Sequence, residues 1–138
     1  MRPLVLALVV LAAAPAAAKS SRDLGHPMDR VWPALVRFLR VDEKLKIVEK
    51  DESVHYVLFE LVDGKKTFRG AAELQATTDD EGRVATRVWV KIGDRPAYME
   101  MGMLDRFELK VREELGEPPP PPEPPPAPPP EKDKDKKE

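Results

Sequence analysis

Cysteine is absent from this sequence. That excludes disulfide staples, thiolate metal ligands and a cysteine nucleophile, so any secreted domain in it stands on its apolar core alone. Histidine is scarce: His26 and His55 are the only two. Serine is nearly as rare, at Ser20, Ser21 and Ser53, and no G-x-S-x-G surrounds any of them. A one-sided charge is missing too. Between residues 19 and 116 stand 18 basic and 19 acidic side chains. Such a balance lacks the electrostatic footprint of a nucleic-acid binder or an anionic-membrane binder. No third ligand stands near either histidine at metal-site spacing, and Gly64, Gly70 and Gly82 form no phosphate-cradling loop.

Both ends of the chain read differently from its middle. Residues 1–18 combine Arg2, an unbroken apolar run from Leu4 to Ala14, Pro15 and the small residues Ala16-Ala17-Ala18. That is the pattern of a secretory signal peptide cleaved near Ala18, and the run is shorter than a bilayer span. The expectation is export without a transmembrane segment after cleavage; an Ala-rich leader and no disulfide favour the periplasm of a Gram-negative bacterium. At the other end, residues 118–130 hold eleven prolines, interrupted by Glu123 and Ala127, before the charged "EKDKDKKE". Proline fixes φ and lacks an N–H, so the segment is expected as polyproline II with a disordered end over 117–138. A semi-rigid spacer that contacts the cell wall, a docking peptide for an aromatic-lined groove, and a passive tail are all open readings.

Residues 19–25 read as a polar lead, and 26–116 as one α+β domain. In "HPMDRVWPALVRFLR", Val31, Leu35 and Leu39 recur at helical spacing, with Asp29 as N-cap. Four strand candidates follow: "KLKIVEKD", "SVHYVLFELV", "KTFRGAAELQAT" and "RVATRVWVKI". Asp63-Gly64 and "DDEGR" supply the turns of an antiparallel meander. The closing segment from Ala97 to Leu115 tracks a helix, with Asp94 as its cap and Gly116 just past its end. Gly102 inside it implies either a close helix–sheet approach or a kink. The predicted architecture is two-layered, α-β-β-β-β-α, with both helices on one face of a four-stranded sheet.

This order, on a helix carrying Asp29, Val31-Trp32 and Leu35, resembles the helix-grip-like domains of BamC, the outer-membrane assembly lipoprotein, and of several small bacterial envelope families. The resemblance covers roughly His26 to Leu115. It implies an envelope domain of this fold; the chain departs from BamC in having no lipobox cysteine and a single such domain.

No constellation of catalytic groups emerges. His26 reads as a helix-entry residue and His55 as a partly buried strand residue. The acid pairs Asp79-Asp80 and Glu113-Glu114 read as solvated charges. The expectation is therefore a non-catalytic module without cofactor or metal. If the helices cover the face bearing Phe68, Leu74, Val88 and Val90, the opposite face carries Trp89 with Arg87, Arg69, Tyr56 and Leu58. An aromatic among arginines is the composition of a protein-binding centre. The competing reading has long charged side chains, or the 19–25 lead, folded over Trp89. The alternative function is binding of a small apolar or lipid-like ligand between sheet and helix, with Met99, Met101 and Met103 as an adaptable wall.

Overall fold

The structure is a computed structural model that describes residues 19–128. The expected leader over 1–18 and the charged end beyond 128 lie outside the described residues. The element order is β1 (Ser20–Leu24), α1 (Met28–Arg37), β2 (Lys46–Asp51), β3 (Tyr56–Asp63), β4 (Lys66–Thr78), β5 (Val84–Ile92) and α2 (Ala97–Leu115). The sheet has five strands in the order β1-β5-β4-β3-β2, all antiparallel. This corrects the expected four. The 19–25 segment is not a polar lead: Ser20 to Leu24 pair with Val90 to Thr86 as an edge strand. No helix among the described residues is long and apolar enough to cross a membrane.

The meander forms as its alternation dictates. Val57 and Phe59, Ala72 and Leu74, and Val88, Val90 and Ile92 all point to one face and are buried. Both helices pack there. Val31, Trp32, Leu35, Phe38 and Leu39 come from the first helical segment, and Met103, Leu104, Phe107 and Val111 from α2. Each such side chain removed from water contributes roughly 1.5–3 kcal/mol before entropy is counted. Phe38 and Phe107 join the helices, their rings 5.2 Å apart and tilted. Phe68 lies on this face as expected, half-buried against the core.

Local details differ from expectation at four places. The first helix begins at Met28 on the Pro27 carbonyl, which accepts from the Arg30 and Val31 amides, so Asp29 lies in the first turn and does not cap it. It then passes into a π-helical turn, Phe38–Asp42, closed by the Glu43 amide on the Phe38 carbonyl. His55 is not in a strand but in the turn before β3 at φ 51°, where its ring meets Trp32 edge-on at 5.3 Å. Asp94, at φ 57°, precedes α2 without capping it; Pro96 holds the N-cap position.

Two glycines behave oppositely. Gly70 faces Phe59 across β4 and β3, and a Cβ there would lie 2.3 Å from Phe59 Cε2. The ring occupies the space of the missing side chain, so β4 requires glycine. Gly102 needs no such approach to the sheet. A Cβ there meets only the flexible end of Arg106, at 3.3 Å.

The edge strand β1 is tied to α2 by polar groups. Glu100 is fully buried. Its carboxylate accepts from the Ile92 amide at 2.9 Å and the Ser20 hydroxyl at 2.7 Å, and pairs with Lys91 at 3.2 Å. Burial raises its pKa, but the three donors outweigh that and hold it below the usual carboxylate range. Arg22 reaches Asp105 and Glu108 of α2 in the same way.

Gly70→Ala should cost about 1–3 kcal/mol by overpacking Phe59, whereas Gly102→Ala should add up to about 1 kcal/mol of helix stability. Urea unfolding of both variants measures the contrast. Glu100→Gln should destabilise by about 1–3 kcal/mol at neutral pH. A depressed carboxylate pKa gives stability that is present above the unfolded-state value and lost as pH falls through the folded-state value. The difference between wild type and Glu100→Gln should therefore shrink in acid, measured by urea unfolding at several pH values.

Candidate interaction surface

The sheet face away from the helices gathers the residues that sequence reasoning singled out. Register places Tyr56 and Trp89 on either side of Glu73, with Ser21 beyond Trp89, in one row across four strands. The next row holds Leu58, Ala71 and Lys91. Tyr56, Leu58 and Trp89 are half-buried among their neighbours. A shallow hollow of about 30 Å³ between Tyr56, Ala71 and Trp89 is rimmed by Lys19, Glu73 and Lys91. Alternation makes this surface: every second residue of β3, β4 and β5 belongs to it, while the others fill the core.

The charges around the aromatics are mostly committed. Arg87 grips Asp23 of β1 through Nε at 2.6 Å and Nη2 at 2.8 Å. Its guanidinium carbon lies 6.0 Å from the Trp89 ring centroid. The Arg87 hydrogen bonds hold the Asp23 carboxyl below its usual range. Lys19 reaches Glu73 at 3.9 Å, and Lys91 reaches Glu100. Arg87 thus adjoins Trp89 as expected. Arg69 does not: it stands opposite Glu60, two rows from Trp89 along β4, and is exposed. The 19–25 segment lies beside Trp89 as a strand, and only the Lys19 side chain reaches the rim of its hollow.

Sequence reasoning missed Lys19, Ala71, Glu73 and Lys91. Glu73 was not legible as the cross-strand partner of Tyr56: the expected Asp63-Gly64 loop would set Tyr56 opposite Ala71, whereas the observed loop is Gly64-Lys65, with Asp63 paired to Lys66 and Tyr56 to Glu73. Lys19 depends on β1, which alternation did not reveal.

Both histidines have partners within the fold. His26 is buried, and its Nε2–H donates to the Gly116 carbonyl at 3.1 Å; its own carbonyl accepts from the Thr86 hydroxyl at 2.8 Å. His55 rests on Trp32. Among the described residues no group of three His, Asp or Glu side chains is arranged to hold a metal ion.

A second concavity, of about 340 Å³, opens on the helix side. Leu61, Ile92, Tyr98, Met99, Gly102 and Met103 line it, beside the Arg106–Glu43 pair. Met103 belongs to the core and Met99 packs against it, so two of the three methionines line the hollow as core and core edge, while Met101 is turned to solvent.

The two tryptophans should separate core from surface. Trp32→Ala should cost about 3–5 kcal/mol, as for a large core aromatic. Trp89→Ala should cost about 1 kcal/mol or less, as for surface substitutions away from the core. Denaturant midpoints check both. The sequence matches no protein-family model and no curated protein.

Proposed function

We propose that this chain is an exported, non-catalytic module of the bacterial cell envelope that binds a protein partner through the outer sheet face. The observation that carries the reading is the row Tyr56–Glu73–Trp89 with Leu58 and Ala71 beside it. Two rigid aromatics and small apolar groups stand on a face that neither helix packs against. Aromatic anchors with few rotatable bonds and a polar surround make the energetic centre of protein interfaces. Arg87 is already fixed by Asp23, so docking onto Trp89 does not require freezing a mobile arginine. The leader pattern over 1–18 and the resemblance to BamC-like domains are what support the proposed compartment, the periplasm of a Gram-negative bacterium.

The second reading is binding of a small apolar or lipid-like ligand in the α2 hollow. Gly102 favours it: glycine costs the helix about 1 kcal/mol where nothing in the packing demands it, and it keeps that hollow open.

In-cell photocrosslinking separates the two. A photoreactive residue in place of Trp89 should give one discrete protein adduct, and the same residue in place of exposed Tyr98 should not. No adduct from position 89 in a folded, exported protein contradicts the partner reading. A retained small molecule in the native mass spectrum, lost in Gly102→Leu, supports the second reading instead.

A further inference from the structure

The proline segment does not leave the domain as a free tail. Gly116 ends α2 at φ 79°, a conformation that favours glycine, and its carbonyl is held by His26. Pro118 then lies directly on Gly25: a Cβ at Gly25 would sit 2.7 Å from Pro118 Cβ. Only glycine at position 25 permits that approach. Further along, Pro119, Pro120 and Pro122 run exposed beside Pro27, Gly82, Arg83 and Val84, flanking an open hollow of about 430 Å³, and Pro122 Cγ lies 3.7 Å from where a Cβ at Gly82 would stand. Its domain wall is stiff. Asp79 accepts from the Glu81 and Arg83 amides and from Arg83 Nε, which pins the β4–β5 turn carrying Gly82.

A polyproline II helix has three residues per turn, so positions three apart share an edge. Pro119, Pro122, Pro125 and Pro128 make one unbroken proline edge, while Glu123 and Ala127 fall on the other two. Pro119 and Pro122, the first two of that edge, line the hollow.

We infer that Gly25 and Gly82, with Pro27 and Val84 beside them, form a surface seat along which Pro118–Pro122 docks in cis as a polyproline II helix, touching it at Pro118 and Pro122. The domain thereby fixes the direction in which the remaining prolines project. At about 3.1 Å per residue the arm carries Pro128 roughly 30 Å from Pro118. The site is distinct from the outer sheet face: it lies at the end of the domain formed by the β4–β5 turn and the start of α1.

The absence of native cysteine permits a direct test on the full chain. Spin labels are placed on a cysteine at Ala127 and on a second one at Lys65 or, separately, at Glu49. Electron–electron distance measurements should give one narrow distribution for each pair. Gly25→Val should broaden both at least twofold. Pro119→Ser with Pro122→Ser, which leaves the core untouched, should broaden them comparably. A broad distribution in the otherwise native chain, or widths unchanged in the serine variant, overturns the inference. Loss of the distances on dilution with unlabelled protein would place the arm on a second copy and overturn occupancy in cis.

Discussion

One-sided burial governs this molecule. Five strands supply two faces, and among the described residues both helices lie on the same side. The apolar positions of β3, β4 and β5 must therefore converge on that side, where Phe59, Leu74, Val88, Val90 and Ile92 meet Leu35, Leu104 and Phe107. The opposite face is left to make its own terms with water. It does so with charged pairs, such as Arg87–Asp23, set around a small aromatic centre.

The edge of the sheet shows how polar groups extend a core that apolar ones cannot. β1 brings one buried apolar residue, Leu24; its other contacts with α2 are Ser20 to Glu100 and Arg22 to Asp105 and Glu108. A buried carboxylate is costly unless its acceptor sites are filled. Glu100 fills its own with the Ile92 amide, the Ser20 hydroxyl and Lys91, and in doing so satisfies a backbone N–H of β5. Removing β1 would take the Ser20 hydroxyl from that carboxylate and Arg22 from Asp105 and Glu108, so the edge strand and α2 depend on each other.

The meander and both helices were legible because their periodicities, two for strands and 3.6 for helices, are written in apolar residues. β1 was not, because its helix-facing residues are Ser20, Arg22 and Leu24, and a strand that meets the polar flank of a helix carries no apolar alternation. The missed helix caps have a related cause: Pro27 and Pro96 enter their helices with backbone geometry alone, whereas sequence reasoning looks for an Asp or Ser side chain. Tyr56, Leu58, Trp89 and Arg87 were found from alternation and do lie together. Arg69 was misplaced because alternation fixes the face but not the position along the strand; that needs the register set by the turn. The cis contact of Pro118 on Gly25 left no signal, since a glycine that admits a close approach looks like any loop glycine.

The central claim is that the outer sheet face is covered by a partner where the protein works. Hydroxyl-radical footprinting, run on the purified protein and again in intact cells that export it, tests this most directly. The account predicts that Tyr56 and Trp89 lose reactivity in cells while exposed Tyr98 and Met101 keep theirs. Equal reactivity of Tyr56 and Trp89 in the two settings would contradict it.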